Sequence, residues 1–62
     1  QLTGCTVIRA VPNVGTQILA NQTIAASYNS NTTNSGLIVV NRALTSEETT
    51  RITQAFNKLA GV

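Results

Sequence analysis

The chain lacks histidine, methionine and tryptophan, and its 62 residues include one cysteine, one proline, one tyrosine, one phenylalanine and two carboxylates. Each shortage removes a class of chemistry. Without histidine there is no Ser-His-Asp or Cys-His set and no imidazole ligand for a metal. With one cysteine there is no intrachain disulfide. Cys5 reads as a small buried hydrophobe in a reducing, cytoplasmic setting, because its neighbours supply no base or cation to make it a reactive thiol. Glu47 and Glu48 are adjacent and explained by helix capping, which argues against a carboxylate pair flanking a substrate. The cations Arg9, Arg42, Arg51 and Lys58 are scattered, with no basic patch and no interleaved aromatics of the kind that binds nucleic acid. No apolar run approaches the roughly 20 residues of a membrane span, and the N-terminus shows no charged-then-apolar signal. A Gly-rich phosphate loop and metal-ligand spacing are both missing.

What is present is apolar and weakly charged: 42% of residues are hydrophobic and 10% are charged, the balance of a globular chain rather than a disordered one. Residues 1–62 form at most a single unit. A domain of this size buries only about 60% of the surface of its unfolded chain, and none of the usual internal staples is available. The expectation is a piece of something larger, or a chain stabilised by association with the rest of a domain or with a second copy of itself.

Along the chain, Thr6 to Val11 is rich in β-branched residues with apolar side chains on both faces, the pattern of a strand covered on both sides. Pro12 lacks the ladder donor and biases its predecessor to extended geometry, so Val11 closes the strand and Asn13 begins a turn. The stretch VGTQILANQ, with a glycine and an asparagine tolerant of positive φ, predicts an irregular crossing into a second strand near residues 23–28. A polar NSNTTNSG loop follows, and Leu37 to Val40 is a wholly apolar third strand, so residues 24–40 could make a hairpin with that loop at its tip. The C-terminal segment predicts a helix over 46–60. Thr45 and Glu48 make a capping box, Ile52, Ala55, Phe56 and Leu59 recur at helical spacing, Glu47, Glu48 and Lys58 complement the dipole, and Gly61 supplies a left-handed end.

The segment VIRAVPN followed by ALTSEETTRITQAFNKLAG resembles the pyrroline-5-carboxylate reductase family, whose members carry an Arg-x-Met-Pro-Asn segment, a Gly-x-Thr strand and a T-x-E-[DE] helix ending near a phenylalanine and a glycine. Arg9, Pro12, Asn13, Thr23, Thr45, Glu47, Glu48, Phe56 and Gly61 fall in the family's order, and the match runs from Thr6 to Gly61. Val11 stands where methionine is usual, VG at 14 and 15 where Thr-Pro is common, and Asn21 where glycine is usual. Residues 29–41 read as an insertion. The resemblance implies an α/β unit in which two or three short strands pack with one C-terminal helix, as part of a Rossmann-type dinucleotide-binding domain. It further implies reduction of pyrroline-5-carboxylate to proline with NAD(P)H in the complete protein. Val11, Pro12 and Asn13 would border the cofactor site, and Arg9 would support that turn. The isolated chain, which has neither the family's Gly-rich loop nor its Ser-Gly-x-Gly-Pro-Ala segment, is expected to bind no cofactor and to have no activity.

The residues alone also allow a simpler role for Arg9, with its stem packed and its head satisfying turn carbonyls. They allow a different class of protein too: a small non-enzymatic secreted or assembly module that associates through an edge strand. Its support is the Asn/Thr/Ser content and two N-x-[ST] matches, at Asn21 and at Asn31.

Overall fold

Proline at 12 and asparagine at 13 fold the N-terminal third of the chain back on itself. In the computed structural model, which describes residues 1–25 and 33–62, β1 (Leu2–Val11) and β2 (Gly15–Ile24) form an antiparallel hairpin. β3 (Gly36–Val40) pairs antiparallel with the other side of β1, giving the order β2-β1-β3, and α1 (Ser46–Ala60) follows. The described residues thus make a small α/β fold of three antiparallel strands and one C-terminal helix. Among them, no helix is long and apolar enough to cross a membrane.

β1 is the central strand and carries most of the buried apolar side chains. Cys5, Val7, Ile8 and Ala10 are fully buried. Strand alternation puts Thr6, Ile8 and Ala10 on the face that α1 covers, and the core is Ile8, Ala10, Phe56 and Ala60, flanked by Ile18, Val40, Leu44 and Ile52. Ile8 lies opposite Ile18 on one side and Ile38 on the other, so one apolar row crosses all three strands, with Ile38 left partly exposed at its end. Thr6 is buried on that face, and its hydroxyl donates to the Arg42 carbonyl at 2.8 Å, tying the β3–α1 connection to the sheet.

Several expectations change. The stretch from Gly15 to Ile24 is not an irregular crossing but a ten-residue strand, and β1 is equally long, so two of the three strands are not short. The second strand expected near residues 23–28 has only its first two positions in β2, with residues 26–28 outside the described residues. β3 pairs with β1, and most of the first arm and the tip of the expected 24–40 hairpin lie outside the described residues. The physical reason lies in how glycine and asparagine are used. Asn21, at φ 57°, sits where four residues of β2 (Leu19 to Gln22) face three of β1 (Val7 to Cys5), so it accompanies a bulge inside a strand rather than a break. Asparagine takes that left-handed φ more readily than other non-glycine residues. Gly4, at φ 67°, accompanies the opposite bulge, with Leu2 to Cys5 facing Ile24 to Gln22, so the extra residue in one strand is offset by one in the other and pairing resumes.

α1 begins and ends where the sequence places it. The Thr45 hydroxyl accepts from the Glu48 amide at 3.1 Å and the Glu48 carboxylate accepts from the Thr45 amide at 3.0 Å, completing the capping box. The same carboxylate takes the Arg42 guanidinium in both arms, at 2.7 and 2.5 Å. These bonds, from Arg42 first and then from the Thr45 amide, hold the Glu48 carboxyl down at a pKa of about 2. At the other end Gly61 is left-handed at φ 81°, its amide donates to the Lys58 carbonyl at 3.2 Å, and the Val62 amide donates to Asn57 at 3.0 Å. That pair of bonds is the Schellman arrangement. The buried stripe differs from the expected one. Phe56 and Ala60 are buried and Ile52 is half-buried, whereas Ala55 and Leu59 are exposed. The stripe follows i, i+4, i+8, and a small residue comes last because the helix end closes tightly on the β1–β2 turn.

Candidate functional site

The turn between β1 and β2 is built by its own residues. The Val14 amide donates to the Val11 carbonyl at 3.0 Å, and Asn13 has φ 63°. Proline at the second position of a turn and a positive φ at the third are the type II combination, and asparagine takes that φ more readily than any other non-glycine residue. Val11 and Pro12 are half-buried and Asn13 is exposed. The three residues singled out as a cofactor border are therefore together at one end of the sheet.

That end is also where α1 stops. The Asn13 amide donates to the Ala60 carbonyl at 2.8 Å, so the turn supplies a partner to a helix carbonyl left without one inside the helix. One turn earlier in the helix, the Asn57 side-chain oxygen accepts from the Thr16 amide at 3.0 Å and lies 2.8 Å from the Thr16 hydroxyl. The hydroxyl has one proton and is also 3.1 Å from the Thr53 carbonyl, so it is held between two acceptors of the same helix. Gly15, at φ 129°, lies between these contacts. A Cβ there would stand 3.3 Å from the Asn57 oxygen and 3.7 Å from the Val62 side chain. Only glycine combines that φ with so close an approach.

Arg9 faces the other way. Alternation puts it on the side of the sheet away from α1, opposite Gln17 and Leu37, and its Nε donates to the Gln17 side chain at 2.5 Å. It braces β1 against β2 two residues before the turn begins.

The sequence points to Val11, Pro12 and Asn13 as the site and to Gly15 only as a residue tolerant of positive φ, and it does not point to Thr16, Asn57 or Ala60. A signal existed for Asn57. It follows Phe56 and precedes Ala60 by three, so helical periodicity puts a polar side chain on the border of the buried stripe, where it needs a partner. Its partner, forty-one residues away, carries no such signal.

The set is neutral. No ionised side chain joins the bonds among Asn13, Thr16, Thr53, Asn57 and Ala60, and Lys58 on the same turn is exposed. The described residues enclose no pocket and hold no group of three or more potential metal ligands. The turn can therefore offer one apolar wall, from Val11 and Pro12, and one polar side chain, from Asn13. Its amides at Asn13 and Val14 are already used in the fold. Comparison with family models, with curated proteins and with solved structures returned no match for this chain.

Proposed function

We propose that the chain is the end of a Rossmann-type dinucleotide-binding domain of a pyrroline-5-carboxylate reductase, and that the Val11–Pro12–Asn13 turn is one wall of its nicotinamide site. The observation that carries this reading is the meeting of its two separate motifs. The Pro-Asn turn and the helix ending in Phe56 and Gly61 are joined by the 2.8 Å bond from the Asn13 amide to Ala60. An antiparallel unit suits such a place because predominantly parallel sheets commonly carry antiparallel strands at an edge. With β1 bordered on both sides, the rest of the sheet would join beyond β2 or β3.

Bound NAD(P)H would supply the hydride that reduces the C=N bond to give proline. The chain's own residues do the positioning. Val11 and Pro12 keep water from one side of the ring, and Asn13 offers a polar side chain at a turn whose backbone is fixed. The residues fit a wall and not a cradle, since the turn's amides are engaged elsewhere. The test is steady-state reduction of pyrroline-5-carboxylate by the complete protein, with and without Asn13→Leu. Turnover that falls in the variant while the circular dichroism spectrum and melt are retained supports the reading. A complete protein that oxidises neither NADH nor NADPH with this substrate overturns it.

A second reading, a module that associates through an edge strand, has one observation in its favour. Leu37, Ile38 and Val39 on β3 are each about 40% exposed, on a strand at the sheet edge that bears no charged residue. Sedimentation of the 62-residue chain at tens of micromolar tests it: a dimer or larger species is expected, and a dispersed monomer with a cooperative melt counts against it.

A further inference from the structure

We propose that Asn57 is a positioning residue: its side-chain carbonyl latches the last turn of α1 to the start of β2 and so fixes the pose of the Val11–Pro12–Asn13 turn. The role in catalysis rests on reading that turn as a cofactor wall; the latch itself does not. A backbone amide can only donate, so the Asn57 atom 3.0 Å from the Thr16 nitrogen is the carbonyl oxygen. The same oxygen is 2.8 Å from the Thr16 hydroxyl, which makes it the shared acceptor for both donors of one residue. Gly15 leaves room for it, since even a methyl group there would press on it at 3.3 Å.

The latch acts on the turn through two routes. Thr16, near the start of β2, is three residues past Asn13, and Ala60, three residues past Asn57 on the helix, accepts the Asn13 amide. Together with the turn these contacts close a loop of hydrogen bonds around Gly15. Val62, donating to the Asn57 backbone carbonyl at 3.0 Å, fixes the helix end on which the side chain stands. The function needed is that of an acceptor. A carboxylate in the same shape performs it, and an apolar side chain of similar size does not.

The experiment is amide hydrogen exchange by NMR on the 62-residue chain and on Asn57→Leu and Asn57→Asp. Loss of one such bond is expected to speed exchange of the Thr16 amide roughly five- to tenfold in Asn57→Leu, with a smaller rise at Asn13 and no change at Ile8. Asn57→Asp retains the wild-type protection at Thr16. If leucine prevents folding, Asn57→Ser, too short to reach Thr16, gives the same contrast. A Thr16 amide equally protected in wild type and in the leucine or serine variant overturns the latch, whatever the enzyme does. The catalytic consequence is read separately in the complete protein. There kcat/KM for the cofactor should fall roughly tenfold in Asn57→Leu and recover in Asn57→Asp. Faster exchange at Thr16 with unchanged kinetics in an active enzyme leaves the latch standing and overturns the reading of the turn as a cofactor wall.

Discussion

The two ends of α1 are fastened by different physics. At the N-terminus the fastening is ionic and exposed: Glu48 answers the Thr45 amide and both arms of Arg42, with the two side chains 35% and 54% exposed. At the C-terminus it is neutral and closer to the core, made by Gly61, Ala60, Asn57, Asn13 and Thr16. The first is local, between residues no more than six apart in sequence, and answers to pH and salt. The second joins segments more than forty residues apart and contains nothing that titrates between them. A helix held in this way has one end that solution conditions can loosen and one end that they cannot. The rigid end carries the turn proposed as functional.

The largest expected effect removes what both ends share. Phe56 is 7% exposed and anchors the middle of the core, so Phe56→Ala should cost about 3–5 kcal/mol in chemical denaturation. A cost below that of either cap would show that the ends, and not the middle, hold the helix. Next comes the neutral end: Gly15→Ala forces a side chain to φ 129° beside the Asn57 oxygen and should destabilise by roughly 1–3 kcal/mol. A tolerated alanine would mean that the helix end sits further from β2 than the contacts require. At the ionic end Thr45→Ala should cost roughly 0.5–2 kcal/mol through the lost cap. Denaturation midpoints of the two variants, compared at pH 7, check their order.

The smallest effect sharpens the comparison by pH. Glu48 has its carboxyl pulled from an ordinary 4.5 to about 2, so it contributes stability that is fully present above 4.5 and disappears as pH falls toward about 2. Thermal melts of the wild type should therefore lose stability across that window, and Glu48→Gln should lose less there. Raising salt should mimic part of the effect at neutral pH. An equal acid loss in Glu48→Gln would place the pH sensitivity elsewhere.

Local signals explain what was legible. Thr45 and Glu48 meet through three residues of chain, and Gly61 needs only its own φ, so the helix and both of its boundaries follow from short-range rules. The turn at Pro12 and Asn13 is legible for the same reason: ring closure fixes one φ and asparagine accepts the positive one. The strand from Gly15 to Ile24 is not, because Gly15 and Asn21 look like loop residues until a partner strand shows that one ends a hairpin and the other marks a bulge. The buried stripe was half legible. Periodicity picks out Phe56, but whether Leu59 or Ala60 completes the face depends on how the helix lies across the sheet.

The sequence by itself therefore determined the elements whose causes lie within a few residues: a first strand apolar on both faces, a proline-asparagine turn at its end, and a capped fifteen-residue helix. Tertiary structure decided what those elements meet. It put β3 beside β1 and not beside its sequence neighbour, turned Arg9 away from the helix toward Gln17, and set the Asn57 oxygen against Thr16. Propensities and caps act over one turn of chain, whereas pairing register and a side chain's distant partner are fixed only when apolar burial chooses which surfaces close together.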